Sequence, residues 1–377
     1  LKAGALIVGG GPAGAAAAAL LARGGRPVVL VERERGPHDK VCGEFISHEA
    51  AAYLAGLGLD LRALGAVPVR TVRLAAGTEG GEAALPFAAF SLSRRRLDEA
   101  LLGVAAAAGV QVRRGVRVRA LDRCGDGWRA GLDGGEVLQA GAAMLAVGKH
   151  DLKGFRRPPG RQSDLIGFKM HWRLAPAQAT ALGCAVELSL FPGGYAGLEP
   201  IEDGLANLCL LVRKTALPPG APWPALLAAM RRACPGLDRR LDGAQPCWPR
   251  PLAITAIPYG HVQRRAEGLW RLGDQAAVIP SFAGDGLAIA LHSAHAAARA
   301  FLAGETADVF QARLARDLRD QVVRATRVSQ ILVRPWTQAA IMAATRLSPG
   351  LLTATARRTR ISPTALAPLL TPAAVHP

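Results

Sequence analysis

Residues 5–32 read ALIVGGGPAGAAAAALLARGGRPVVLVE, and this stretch decides the fold. Leu6, Ile7 and Val8 make a short apolar run suited to a buried parallel strand, and Gly9, Gly11 and Gly14 follow at G-x-G-x-x-G spacing. Gly9 permits the tight turn out of the strand, Gly11 lets a pyrophosphate approach the backbone, and Gly14 lets the helix pack closely on the strand. The alanine-rich run that follows favours a helix whose unpaired N–H groups and positive dipole end suit an anion. Arg23, Gly24 and Gly25 end it, Val28 to Val31 predict a second strand, and Glu32 stands where an acidic side chain accepts bonds from ribose hydroxyls. Strand, turn, helix and strand together predict a dinucleotide site. A signal peptide is the weaker reading, because three consecutive glycines interrupt the run and no cleavage site follows.

The chain has 377 residues, enough for two or three structural units. It has no uninterrupted apolar run of about 18 residues, so no membrane-spanning helix is expected. A net charge of +17 invites a nucleic-acid reading, but the arginines are scattered through an Ala/Gly/Arg-rich chain. No basic tail, zinc spacing or aromatic ladder accompanies them, so nucleic acid is not an expected partner. Attraction to an anionic membrane surface or a carrier protein is the secondary reading of the charge. Cys42, Cys124, Cys184, Cys209, Cys234 and Cys247 form no C-x-x-C pair, which predicts reduced thiols and a cytoplasmic location, with peripheral membrane contact left open. His292 and His295 lie one helical turn apart without a third ligand, so no metal site is expected.

Beyond the second strand, Lys40 to Gly43 give K-x-C-G. Together with GGGPAG and Glu32, this resembles the flavoproteins that include geranylgeranyl reductases, whose wider relatives are aromatic hydroxylases and flavin-dependent halogenases. The resemblance implies FAD held at Gly9, Gly11, Pro12, Ala13, Gly14, Glu32 and Arg33, with the Cys42-Gly43 loop near the isoalloxazine ring. The plain alternative for Cys42 is a small packing residue, which its polar loop between Lys40 and Glu44 disfavours. Residues 91–108 predict a helix beginning SLSRRRLDEALL, similar to the family's R-x-x-x-D segment. That similarity implies that Arg94 contacts FAD while Arg95 and Arg96 face solvent, and that Val118 lies near the adenine. Residues 269–291, LWRLGDQAAVIPSFAGDGLAIAL, resemble the segment that completes such FAD sites. Asp274 is then the acceptor for the ribityl or pyrophosphate region. Gly273, Gly284, Gly286 and Leu287 surround a helix start whose positive end suits charge on the reduced flavin.

Elsewhere the pattern predicts a helix over 49–64, a strand over 67–74 with turns at Gly77, Gly80 and Gly81, a meander over 110–142 and a buried strand at 144–148. A crossover at 149–160 leads to strands at 166–174, 184–190 and 205–212. Between the last two, FPGGYAGLEP reads as a turn. It resembles the proline-glycine-tyrosine turn of geranylgeranyl reductases, which implies that Tyr195 faces flavin or substrate; a packed hairpin turn is the residue-level alternative. The tryptophan that often follows that tyrosine is absent, as is a W-x-W-x-I-P halogenase signature. The C-terminal segment is either a solvated helical cap, the plainer reading, or a basic amphipathic surface for lipid, and it is expected to fray after Ser362.

The expected class is α/β and α+β, similar to p-hydroxybenzoate hydroxylase. A Rossmann-like FAD-binding domain takes residues 1–66, 91–150 and 260–330; an antiparallel-sheet substrate domain takes 67–90 and 151–259; a helical cap and tail take 331–377. With one glycine fingerprint, NAD(P)H or another electron donor has only a surface or transient site. The leading expectation is an FAD-dependent reductase or dehydrogenase moving hydride between flavin N5 and a carbon of a small apolar substrate: polyprenyl, polyketide or carrier-bound acyl. Cys42, Glu44 and Tyr195 are its proton-handling candidates. The alternatives are a monooxygenase that hydroxylates an aromatic or polyketide substrate through a flavin hydroperoxide, and a non-catalytic flavin-binding protein.

Overall fold

The computed structural model describes residues 2–217, 220, 222–348 and 350–370. Lys2–Val8 pairs in parallel with Val28–Glu32 on one side and Val137–Leu145 on the other, while Gln111–Arg114 and Trp270–Arg271 extend the two flanks. Its period of two divides the first strand between two cores. Ala5 and Ile7 pack toward the helices Pro12–Arg23 and Gly286–Leu302, and Leu6 and Val8 toward Trp128, Leu132 and Leu145 of the antiparallel meander formed by Val118–Cys124, Gly127–Leu132 and Val137–Leu145. Burial of both faces explains why the strand is apolar throughout.

At the strand's end the chain turns with backbone laid on backbone. A Cβ at Gly14 would sit 1.9 Å from Gly9 O, and one at Gly9, whose φ is 108°, would sit 2.5 Å from Ala146 O. Both positions therefore exclude any side chain.

The second sheet runs in the order Gln245–Pro246, Leu165–Arg173, Leu205–Arg213, Gly194–Ile201, Ala185–Phe191, Val67–Ala76, Glu79–Ser91, Phe45–Ile46. It is antiparallel except where Ala185–Phe191 meets Val67–Ala76 in parallel. Its outer face, with Met170, Trp172, Leu198, Leu208 and Leu210, packs on Leu226, Met230 and Leu237 of two short helices, Trp223–Ala233 and Pro235–Arg240. The alternate residues point inward to a cavity. The helices Ala307–Leu332, Pro335–Leu347 and Gly350–Arg358 wall the far end of that cavity, the last two resting on Glu79–Ser91.

Four local expectations are corrected. The helix expected over 49–64 is His48–Gly56 and stops where Gly56 and Gly58, the latter at φ 89°, break it. Gly80 and Gly81 lie inside the strand Glu79–Ser91, so the turn is confined to Gly77 and Thr78. Residues 191–200 are not a turn: only Pro192 and Gly193 turn, and Tyr195 lies within Gly194–Ile201, paired on both sides with Leu190 and Leu211. The segment after Ser362 forms the helix Pro363–Leu370, anchored by Leu366 in the core, and the remainder of the tail lies outside the described residues.

Candidate functional site

A continuous cavity of about 990 Å³ runs from the glycine turn, under the inner face of the second sheet, to the C-terminal helices. At the glycine end, Gly9, Gly11, Pro12 and Ala13 line it, whereas Gly14 is packed behind them and serves the turn rather than the wall. Gly11 caps the helix Pro12–Arg23 without a side-chain hydrogen bond, leaving its first N–H groups open to the cavity. A Cβ on Gly11 would find no atom closer than Arg94 Nη2 at 3.5 Å, with Lys40 Nζ at 3.9 Å.

Arg94 grips Asp98 through Nε at 2.7 Å and Nη2 at 2.8 Å, and Lys40 Nζ reaches the same carboxylate at 2.9 Å. Burial opposes the charge on Arg94, but Asp98 and then Cys42 more than offset it and push its pKa above the ordinary value. An open helix N-terminus beside two fixed cations suits a diphosphate.

Glu32 Oε2 accepts from Gly10 N at 2.6 Å and Oε1 from Glu34 N at 2.9 Å, so its carboxylate is fixed at the cavity edge. Arg33 lines the same edge in an exposed pair with Glu34, and Val118 begins the meander strand beneath. Asp274 presents a carboxylate that no group among the described residues engages, while its carbonyl oxygen accepts from Arg157 at 2.6 Å. Gly273 and Gly284, at φ 57° and 66°, bend the chain so that Gly286 and Leu287 open the helix Gly286–Leu302 at the cavity wall. These features fit FAD: open N–H groups and cations for the diphosphate, free or fixed carboxylates for hydroxyls, and a helix start for the ring. His292 and His295 belong to the packing, with His292 Nδ1 2.8 Å from Tyr53 OH and His295 bound to Leu291 O.

The middle of the cavity is organised by the Lys40–Glu44 loop, pinned from several elements at once. Lys149 Nζ donates to Val41 O at 2.6 Å and Asn207 Nδ2 to Cys42 O at 3.2 Å. Glu44, fully buried with φ 62°, accepts from Arg94 N at 2.8 Å, from His171 Nε2 at 2.8 Å and from Lys169 Nζ. Burial works to raise its pKa, but Lys169 and His171 outweigh it and hold the carboxyl below its ordinary value of 4.5. Cys42 Sγ faces the cavity, accepts from Glu44 N at 3.3 Å and lies beside the Arg94 guanidinium.

Glu199 is also buried, but its pKa moves the other way. Burial first, and the negative Glu44 second, hold its carboxyl well above 4.5. Asn207 Nδ2 touches Glu199 Oε1 at 3.4 Å, and Oε2 has no partner among the described residues. It faces Gly43, where a Cβ would lie 4.0 Å from Oε1.

Sheet register produces this cluster. His171 pairs with Asn207, which pairs with Glu199, and one step along Lys169 pairs with Cys209, which pairs with Gly197. Directly opposed residues share a face. Sequence reasoning missed Lys169, His171, Glu199 and Asn207; their signal is polar residues spaced by two inside the apolar strands LIGFKMHWR and GYAGLEPI, with a lone Asn in LANLCLLVR. The sheet brings Cys42, Gly43 and Glu44 together with these residues. It does not bring Tyr195 to them, since four strand residues, about 13 Å, separate Tyr195 from Glu199. The Tyr195 hydroxyl accepts from Phe282 N at 3.2 Å in the apolar part of the cavity wall, and burial pushes its pKa up.

Asp39, Glu44 and His171 bring potential metal-ligand atoms within 4.8 Å of one another. The Lys169 ammonium already occupies the position on Glu44 that a cation would take.

Beyond the cluster the cavity turns apolar, walled by Val72, Leu74, Leu188, Leu211, Leu332 and Ile341 among others.

Residues 2–138 match the family model described as FAD binding domain. The chain is 28% identical over 336 residues to the menaquinone reductase of Mycolicibacterium smegmatis, covering 81% of this chain and 78% of that relative. Among solved structures, the myxobacterial chondrochloren halogenase CndH superposes with a TM-score of 0.75 at 20% identity, over 98% of this chain and 96% of its own. The halogenase PltM gives TM-scores from 0.73 to 0.77 in different structures, with 0.74 and 16% identity for its complex with phloroglucinol and FAD over 94% of this chain and 82% of its own. These two likenesses establish the fold, a parallel FAD-binding sheet joined to a second sheet and C-terminal helices. With the FAD-binding domain over residues 2–138 and the similarity to a menaquinone reductase over 81% of its length, the chain is an FAD-dependent oxidoreductase.

Proposed function

We propose that the chain reduces a carbon–carbon double bond in the isoprenoid chain of a quinone. The observation that carries this reading is the continuity of the cavity: the wall that fits FAD passes directly into an apolar tunnel, with one buried carboxyl of raised pKa, Glu199, at the junction. The similarity to a menaquinone reductase supports the substrate class. An isoprenoid chain suits walls of Val, Leu and Ile, and the tunnel excludes water from the reacting carbons.

Alkene reduction adds a hydride to one carbon and a proton to the other. Bound FAD, once reduced by NAD(P)H or another donor, supplies the hydride. Glu199 supplies the proton from Oε2, since burial and the negative Glu44 raise its pKa and favour the protonated acid. Asn207 fixes its other oxygen. Glu44 has both oxygens engaged and is assigned a positioning role, its charge keeping the proton on Glu199. Cys42 flanks the reacting region beside Arg94, and Tyr195 shapes the tunnel near Phe282. Gly9, Gly11, Pro12 and Ala13, with Lys40, Arg94, Glu32 and Asp274, hold the cofactor.

The test is anaerobic turnover of menaquinone in detergent micelles beside menadione, which lacks the chain. The long-chain quinone is expected to return with a saturated bond, and the Glu199→Gln variant to lose about 10²- to 10⁴-fold in rate while binding FAD normally. Recovery of only ring-reduced quinones, from both substrates alike, would overturn the reading. A product carrying an added oxygen would select monooxygenation instead.

A further inference from the structure

The helix Pro335–Leu347 is amphipathic the wrong way round for water. Its buried residues are Thr337, Gln338, Met342 and Thr345, three of them polar. Their groups are satisfied internally: Gln338 Nε2 donates to Phe191 O and Leu332 O at 2.9 Å each, Thr337 Oγ1 to Arg334 O at 2.8 Å and Thr345 Oγ1 to Met342 O at 3.0 Å. Its exposed face is Trp336, Ala339, Ala340, Ala343 and Leu347, with Arg346 beside them. At 100° per residue, Trp336, Ala340, Ala343 and Leu347 fall within about 60° of one another and span about 16 Å. Trp336 is 74% exposed and Leu347 88%.

Two further observations point outward from the same place. Ile331 and Leu351 line the cavity and are also exposed, so the apolar tunnel opens beside this face. The charge around it is predominantly positive: residues 321–377 contain seven arginines and no Asp or Glu, and Arg346 of this helix is paired with Glu79 of the strand beneath. Arg334, Arg357 and Arg358 are exposed, and the Arg334 guanidinium lies 5.8 Å from the Trp336 ring, so the cation and the aromatic ring are presented together. A long apolar stripe rimmed by arginines, with a tryptophan among them, complements lipid tails under anionic headgroups.

We propose that this face docks on an anionic phospholipid surface and sets the tunnel mouth against the acyl layer, so that an isoprenoid chain passes from bilayer to cavity without crossing water. The lipid specificity stands on the helix face and its charge; the direction of substrate entry rests on the proposed quinone reading. Pro335–Leu347 lies flat in the interface, and no helix among the described residues is long and apolar enough to cross the membrane.

Sedimentation of the FAD-loaded full chain with vesicles separates these points. Vesicles of equal parts phosphatidylcholine and phosphatidylglycerol are expected to carry the protein down, and phosphatidylcholine alone to leave it in solution. Replacing Arg357 and Arg358 together with Gln weakens partitioning at low salt by roughly thirtyfold, at about 1 kcal/mol per arginine, and high salt reproduces part of that loss. The Trp336→Ser/Leu347→Ser variant abolishes binding; neither residue lines the cavity, so its thermal midpoint, bound FAD and turnover in detergent remain those of the parent. Equal binding to both vesicle types, no binding, or a dimer in solution that this variant dissociates would overturn the proposal. Vesicle binding without any quinone turnover in detergent would retain the docking face and remove the quinone reading.

Discussion

The two ends of the cavity are built on opposite plans. At the glycine end, Gly9, Gly11 and Gly14 make the turn from neighbouring residues, and backbone packing 1.9 Å from a hypothetical Gly14 Cβ enforces it. In the middle, Glu44 reaches Lys169 across 125 residues and Cys42 reaches Asn207 across 165. The local end offers open donors to a ligand, whereas the assembled end satisfies most of its groups, with Glu199 Oε2 and Asn207 Oδ1 left without partners among the described residues. The first is a binding surface with structure behind it; the second is a charge cluster on which the second sheet depends.

That contrast predicts where substitutions act. The largest effect is expected at Lys169→Met, which strands the buried Glu44 carboxylate without its ammonium and costs about 3–5 kcal/mol in denaturant unfolding. Adding Glu44→Gln recovers much of that loss, because the uncompensated charge is then gone. A single-variant loss that the double variant fails to recover would show that the pair matters through packing alone. Next in size, Gly11→Leu leaves folding nearly unchanged but fills the cradle, lowering FAD affinity by about 10- to 100-fold, the equivalent of 1–3 kcal/mol of overpacking. Calorimetric FAD titration reads this directly.

The smallest effect concerns the two carboxyls and pH. Glu44 has a lowered pKa, so its contribution to stability is present above 4.5 and fades as pH falls through its folded value. Glu199 has a raised pKa, so its contribution is full below 4.5 and is lost as pH rises toward its folded value. The parent is therefore expected to lose stability relative to Glu199→Gln as pH rises from 4.5, and melting curves of the two across that range test it. A gap that stays constant with pH would remove the neutral Glu199 from the account.

The same contrast explains what the sequence made legible. The glycine turn, Glu32, and the Gly273-Asp274 pair before the helix Gly286–Leu302 were readable because each signal is a few adjacent residues with a backbone reason for their types. Cys42 and Glu44 were readable as a polar loop from the residues themselves, with its place near the flavin ring implied by resemblance, but Glu44's partners were not. Lys169 and His171 meet it only once sheet register aligns His171, Asn207 and Glu199 in one row, and the register of Leu165–Arg173 on Leu205–Arg213, strands joined by a long connection, leaves no local mark. Tyr195 was found as a cavity residue but placed in a turn, since Pro192-Gly193-Gly194 looks like one; the strand begins at Gly194 because pairing with Phe191 and Val212 continues through it. The polar, buried side of Pro335–Leu347 was equally hidden, because only packing tells which face of a helix is inside.

In the proposed reaction FAD and an isoprenoid chain share one cavity with Glu199 between them. This is tested most directly by an anaerobic single turnover, in which the photoreduced FAD-loaded protein is mixed with menaquinone, the flavin absorbance is followed, and the quinone is weighed by mass spectrometry after air has reoxidised its ring. The expected result is flavin reoxidation without oxygen and a product that keeps two added hydrogens on its chain. Flavin that stays reduced until oxygen enters, or a product that returns to its starting mass in air, would contradict it.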